Sequence, residues 1–348
     1  MPQASRGGRR KAVTLDAVAE KAGVSAMTVS NVLNGVGRVG AATRARVREA
    51  AEALGYAAGA APREPALRLG LVFDHPESPF VGTLMIGAVG AASRAGAHLL
   101  VRRCAGSGVR PLRAALTALA RGGARGVLLP SPFAELAEQE GLIEEMALFG
   151  VGVSTGRPLA NLATVRIDDE AAALALTEDL LDQGRRRIAF VAGPANHSSS
   201  GARRRGYRTG LERRGVAADP ALMIEGDWGF ASGRTAGRRL LTSAARPDAI
   251  FAANDEMAAG VLSAARDLGL RLPADLVVAG FDDSPLARQV TPSLTSVRQP
   301  VLRMAEHAVE RLAAALRAGQ PPAGDTIFAH ALVRRRSTAP PRERALVV

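Results

Sequence analysis

The hydrophobic rhythm of the chain changes once, near residue 69. Before that point apolar residues recur at helical spacing. After it, short apolar runs alternate with longer amphipathic stretches. The runs Leu69–Phe73, His98–Arg102, Gly126–Leu129, Gly150–Ser154, Thr164–Ile167, Arg187–Ala192, Ala249–Ala252 and Leu276–Ala279 read as strands. Helical stretches lie between most of them: Gly82–Ala95, Leu112–Arg121, Glu170–Gln183, Gly201–Arg214, Ala231–Ala244 and Glu256–Leu268. Gly96, Gly122, Gly184, Gly215 and Gly269 suit the C-termini of such helices. The alternation predicts doubly wound parallel sheets covered by helices on both faces. Eight or more strands over about 270 residues predict two such lobes, with a ligand cleft between the carboxyl ends of their strands.

Residues 13–56 read as helices throughout. Thr14 caps a first helix, Leu15–Lys21, and Ser25 caps a second that runs to about Leu33. Gly23 falls at the turn between them, where a left-handed backbone is easiest. Ala19 is small where the second helix must approach, and Val18, Val24, Val29 and Leu33 supply the apolar side. A third helix, about Ala42 to Leu54, closes the core with Val47, Ala50, Ala51 and Leu54. The spacing Ala19–Gly23–Val29 is that of a helix-turn-helix, a small all-α DNA-binding domain whose second helix enters the major groove. Ala26, Met27 and Asn31 are then expected at base edges. Asn31 is the sequence reader, because its amide pairs bidentately with adenine. Thr14, Ser25, Thr28, Ser30, Asn34, Arg38 and Thr43 are expected on phosphates, where they position the domain without reading sequence. Singly, each of these residues is an ordinary cap or surface position of a three-helix bundle; only the whole string points to double-stranded DNA.

Charge supports that partner. The 348 residues carry a net +12, and residues 1–68 hold eleven Lys or Arg against five Asp or Glu. Positive charge is therefore roughly fourfold denser there than in the rest of the chain. Forty-three Arg against two Lys reflect a GC-rich coding bias, which does not explain the concentration at one end. Residues 1–12 form a polar basic tail, expected to be disordered. Residues 57–68, with Gly59, Pro62 and Pro65, read as a linker to a body over 69–340.

Other chemistry is excluded by what the sequence lacks. Cys104 is the only cysteine, so neither an intramolecular disulfide nor a thiolate metal site can form, as befits a reducing cytosol. The opening MPQASRGGRRK has no apolar signal core, and no apolar stretch of membrane-spanning length is free of Arg, Asp and Glu. The chain is expected to be cytoplasmic, with no membrane partner. Its five His show no metal spacing, and no GxGxxG after a strand, Walker loop or GxSxG elbow occurs. No cofactor, no metal and no catalytic residues are expected; the chain is not an enzyme.

Val13–Asn34, continuing to Gly55-Tyr56, resembles the headpiece of the LacI/GalR family of bacterial regulators. The body carries the resemblance almost to its end. It runs through Ser78-Pro79-Phe80, Ile167-Asp168-Asp169-Glu170, Arg186–Pro194, Phe251–Met257, Val278–Asp283, Pro292–Pro300 and Arg336-Ser337-Thr338. The resemblance implies a homodimer on a pseudo-palindromic operator, most often a repressor. Its body is periplasmic-binding-protein-like and closes on a small effector, usually a sugar. It implies an N-lobe of about 69–166 and 298–327, and a C-lobe of about 167–297 and 328–340. By the same resemblance Asp74, Phe80, His197, Ser199, Arg203, Trp228, Asn254, Asp255, Asp282 and Gln299 line the effector cleft. Their chemistry suits the role: carboxylate and amide acceptors, a guanidinium fork and one aromatic face can hold a carbohydrate ring.

The sequence departs from the family in two places. Thr155 stands near a position where relatives often carry an aspartate. The linker lacks the usual Pro-Asn after Gly-Tyr and is several residues short. Two prolines interrupt it before Leu67, so the minor-groove hinge helix of the family is expected to be absent or rudimentary. No leucine heptads at the C-terminus signal a tetramer. The competing readings are a transporter's solute-binding receptor, against which the headpiece and the missing signal peptide count, and an enzyme on a doubly wound fold, which lacks any supporting constellation.

Overall fold

The first helix, α1 (Leu15–Ala22), begins where Thr14 Oγ1 accepts the amide of Ala17 at 3.3 Å. It stops at Gly23, whose φ of +62° is the left-handed conformation a tight helix stop requires. Ser25 then accepts the amide of Thr28 at 3.2 Å and opens α2 (Ala26–Leu33). With α3 (Ala41–Ala53) these helices bury Val18, Ala19, Ala22, Val29, Val32, Val47, Ala50 and Ala51. Val32, not anticipated, is fully in this core, whereas Val24, Leu33 and Leu54 only pack against its edge. The computed structural model describes residues 14–33, 39–56 and 67–338, and the chain divides after Ala66 into two units. The N-terminal tail, Asn34, Arg38 and residues 57–66 of the linker, with its hinge, lie outside the described residues.

The second unit holds two six-stranded sheets. The first contains β1 (Leu67–Phe73), β2 (Ala97–Arg103), β3 (Gly126–Pro130), β4 (Phe149–Val153), β5 (Ala163–Ile167) and, late in the chain, β11 (Asp325–Phe328). Its order is β11-β5-β4-β3-β1-β2, parallel throughout. The second contains β6 (Ile188–Ala192), β7 (Met223–Glu225), β8 (Ala249–Ala252), β9 (Val277–Asp282), β10 (Thr295–Arg298) and β12 (Ala331–Val333). Its order is β12-β10-β9-β8-β6-β7, and only the β10–β12 pair is antiparallel. Both orders reverse direction beside the first strand of their sheet, so each has a topological switch point at which a crevice opens.

Helices α4 (Pro79–Arg94), α5 (Val109–Arg121), α6 (Phe133–Gln139) and α7 (Leu142–Glu145) belong to the first lobe. Helices α8 (Asp169–Asp182), α9 (Ser198–Arg213), α10 (Phe230–Leu241), α11 (Asp255–Asp267) and α12 (Pro285–Gln289) belong to the second. The chain then returns through α13 (Val301–Ala318), which packs on α4. It therefore passes between lobes three times: before α8, between β10 and α13, and between β11 and β12.

Three local expectations need correction. Leu67 and Arg68, placed in the linker, instead open β1, because their backbones pair in register with Ala97 and His98 of β2. Gly122 has φ −71°, and the left-handed stop of its helix falls to Gly123 at +86°. The strands β7, β10, β11 and β12 were not anticipated; each has only three or four residues, too few for a period-two pattern.

Glycines set how closely the second lobe's helices approach. A Cβ on Gly206 of α9 would run into the backbone oxygen of Glu170 and the amide nitrogen of Leu174 on α8. Backbone cannot swing aside as a side chain can. Gly206→Ala is expected to destabilise the body by about 1–3 kcal/mol, read as a lower urea midpoint; an unchanged midpoint would show that α8 and α9 part at little cost.

Candidate functional site

On the headpiece, Met27 is 71% exposed and Asn31 is half-buried one helical turn later, so both lie along one side of α2. Ala26, expected with them at the base edges, instead packs partly against the headpiece core, because it shares the inward stripe of Val29 and Val32. Thr14 and Ser25 act as caps while remaining exposed, and Ser25 and Thr28 also bond through their hydroxyls at 2.9 Å. Ser30 is half-buried on α2, and Thr43 half-buried in the first turn of α3. Arg44, Arg46 and Arg48 on α3 went unremarked in the sequence, although their clustering there was visible; Arg46 and Arg48 are exposed and Arg44 bonds the carbonyl of Val39.

In the body a cavity of about 400 Å³ opens outside the carboxyl ends of both sheets, between the lobes. The first lobe contributes Asp74, His75, Glu77 and Phe80 from the segment after β1, Arg103 from the end of β2, and Ser131 and Ser154 after β3 and β4. The second contributes His197, Ser199 and Arg203 around the start of α9, Asp227 and Trp228 after β7, Asn254 and Glu256 after β8, and Asp282 at the end of β9. Among the described residues, three of the five non-glycine residues with left-handed backbone line this cavity: Ser154 (φ +57°), Trp228 (+73°) and Asp282 (+110°). Such conformations cost free energy and concentrate where side chains must be aimed at a ligand.

Arg203 organises the second lobe's half. Its Nε donates to Asp169 at 2.8 Å, and Nη1 donates to the carbonyl of Ala253 at 2.6 Å. Nη1 also lies 3.8 Å from Asp282, and the guanidinium stacks 3.8 Å from the Phe281 ring centroid. Asp282 in turn accepts from Gln299 at 2.7 Å. Burial raises its carboxyl above the usual carboxylate range, while Arg203 and Gln299 pull it back. The amide of Asn254 donates to the carbonyl of Trp228 at 2.8 Å, which fixes the turn that presents the indole.

A regulatory-protein model described as "Bacterial regulatory proteins, lacI family" matches residues 14–58, and a "Periplasmic binding protein-like domain" model matches residues 177–338. The HTH-type transcriptional regulator CelR of Thermobifida fusca is 35% identical over 306 residues, covering 84% of this chain and 88% of that protein. The chain belongs to the LacI/GalR family of bacterial transcriptional regulators. Among solved structures, the CelR–cellobiose complex aligns with TM-score 0.70 at 30% identity, over 93% of this chain and 99% of that one. The lac repressor dimer bound to operator and the anti-inducer ONPF aligns with TM-score 0.73 at 28% identity, over 94% and 99%. This LacI-family chain is thus a DNA-binding transcription regulator and not an enzyme. Among the described residues no helix is long and apolar enough to cross a membrane.

Eight of the ten residues expected in the effector cleft of this family member reach the cavity; Asp255 and Gln299 do not. Asp255 turns into the lobe, accepting from Ser284 at 2.7 Å and Ser296 at 2.6 Å, because its position at the start of α11 faces the β9–β10 side. Gln299 sits behind the cavity and holds Asp282. His75, Glu77, Arg103, Ser131, Asp227 and Glu256 were missed. Several directly follow the strands that were identified, so strand ends alone could have marked them.

His197 is 8% exposed, its ring meets Trp228 edge-on at 5.4 Å, and it makes no side-chain hydrogen bond among the described residues. Burial, aided by the charges of His75 and Arg203, holds its imidazole down at about 4. The native chain therefore refuses a proton that the unfolded chain takes up below about pH 6.5. Stability from the neutral ring is complete above that pH and is lost as pH falls toward 4. Relative to His197→Asn, the wild type is expected to lose on the order of 3 kcal/mol between pH 7 and pH 4. Parallel urea-denaturation profiles for the two proteins would contradict a buried neutral imidazole.

Proposed function

We propose that the chain is a cytoplasmic, homodimeric repressor whose operator affinity is set by a small carbohydrate effector bound between the two lobes. The observation that carries this reading is the cavity at the carboxyl ends of both sheets, lined from both sides, in a chain that also bears a helix-turn-helix. A cavity shared by two lobes is filled best when the lobes close, so a ligand shifts the population toward the closed form. Closure then alters the spacing of two headpieces on one operator. The relatives point the same way: the CelR structure holds cellobiose, and the lac repressor structure is a dimer on its operator.

We assign base reading to Asn31 and Met27, with Ala26 at the margin, and phosphate contact to Thr14, Ser25, Thr28, Ser30, Asn34, Arg38 and Thr43. In the cleft, Asp74, Asn254 and Asp282 accept sugar hydroxyls, Arg203, His197 and Ser199 orient them, and Trp228 and Phe80 cover the ring. Residues 13–56 form the DNA-reading unit, with the linker ending at Ala66. The exposed Ile86 and Val89 of α4, with Val101 of β2, offer apolar surface for the mate. The buried free thiol of Cys104 suits the cytoplasm.

The deciding experiment is a gel shift on DNA upstream of the gene, repeated with a sugar library. Trp228 is the only tryptophan, so its fluorescence reports effector binding directly. A chain that binds sugars but never retards that DNA would instead be a solute receptor. Asn31→Ala should cost roughly 1–3 kcal/mol on the true operator and relax one base pair per half-site; an equal loss on random DNA would move Asn31 to the phosphates. Asp282→Asn should weaken effector binding about 10- to 100-fold while leaving operator affinity intact. An unchanged Trp228 titration would remove Asp282 from the effector contacts.

A further inference from the structure

Two carboxylates in the cleft have no side-chain partner among the described residues. Glu77, after β1, and Glu256, in the first turn of α11, form no ion pair or hydrogen bond through their side chains among the described residues. They reach the cavity from opposite lobes. Burial, and next the charge of Glu77, push the Glu256 carboxyl above its ordinary value; Asp227 adds to this and His75 opposes it. The same cavity holds Asp74, Asp227 and Asp282, against the guanidiniums of Arg103 and Arg203. Arg203 is already engaged by Asp169 and the Ala253 carbonyl, and His75 lies 3.6 Å from Asp74. Glu77 and Glu256 thus face one cavity from opposite lobes, with no side-chain partner for either among the described residues.

Even with Arg103 free to pair, the cavity wall holds five carboxylates against two guanidiniums, an excess that a cationic ligand would offset. Among the described residues no group of three His, Cys, Asp or Glu is arranged to hold a metal ion. A ligand is called for independently by His197, whose nine-tenths-buried side chain lines the cavity with neither nitrogen bonded among the described residues. A neutral sugar would satisfy His197 and donate hydroxyls to the carboxylates, but would leave the excess of carboxylates over guanidiniums uncompensated. An ammonium group satisfies both, since it donates three hydrogen bonds and carries the missing charge.

We propose that the effector is an amino sugar, whose protonated amine sits between Glu77 and Glu256 while its ring lies against Trp228 and a hydroxyl meets His197. This rests on the carbohydrate reading of the cleft. The test is calorimetry on the full chain with matched sets at pH 7: glucosamine, N-acetylglucosamine and glucose; galactosamine and galactose; the glucosamine disaccharide and cellobiose. An amine-bearing member is expected to bind at least tenfold more tightly than its neutral and acetylated counterparts. That preference should vanish in Glu77→Gln/Glu256→Gln, whose unchanged urea midpoint confirms that its body is folded. Equal or tighter binding of the neutral sugar, or a preference that survives in the double variant, overturns the proposal and leaves the carbohydrate reading in place. Binding by no sugar of any set overturns both.

Discussion

A guanidinium with 4% of its side chain exposed has few ways to exist in a folded protein, and Arg203 uses most of them at once. Removing such a charge from water costs several kcal/mol, recovered only where partners are close and complete. Asp169 comes from the start of α8, Ala253 from the residue after β8, and Phe281 and Asp282 from the end of β9. Three separate segments must therefore be in register around α9 for one side chain to be tolerated. Asp169 shows the same tension from the other side, since burial raises its carboxyl while Arg203 holds it down. The second lobe's wall of the cleft is rigid for this reason, and the strained backbones of Trp228 and Asp282 are sustained by it.

That wall connects to the parts that move. Asp282 is held by Gln299, which lies in the segment where the chain passes from β10 to α13 and so from one lobe to the other. A ligand that pulls on Asp282 thus acts one hydrogen bond from a crossover strand. At the far side of the cleft the lobes already touch. Ser198 Oγ accepts the amide of Gly156 at 2.7 Å and bonds Glu135, which also accepts from Ser131. A Cβ at Gly156 would collide with the backbone of Ser198 and Ser199, so the approach depends on glycine there. One corner of the cleft is therefore pinned by direct contact between the lobes, and any closure on a ligand turns about that corner.

Much of this was readable in advance, for reasons that differ by element. The long apolar strands and amphipathic helices announced two doubly wound lobes, because burial on both faces leaves no polar residue in a parallel strand such as Gly126–Pro130. The caps Thr14 and Ser25 and the stop at Gly23 were legible because cap and turn chemistry is local. Short strands such as Met223–Glu225 were not, since pairing with β6 rather than any pattern of their own makes them strands. At the site, the family resemblance supplied Arg203, Trp228 and Asp282, which reach the cavity. It misplaced Asp255, because one residue along a helix start turns a side chain by about 100°. Adjacent Glu256, one position on, is the carboxylate that faces the cavity.

The headpiece follows a different economy from the body. Its core is four valines' and leucines' worth of edges around Val18, Val29, Val32 and Val47, filled out with alanines and no buried aromatic. A module of this size hides little apolar area, and alanine contributes less than any larger aliphatic residue. Its stability is therefore small, and Met27 stands in water with no partner in its own fold. On the proposed reading, DNA that engages the caps and covers Met27 would stabilise the fold that recognises it. Recognition and folding of the headpiece would then be linked equilibria, each favouring the other.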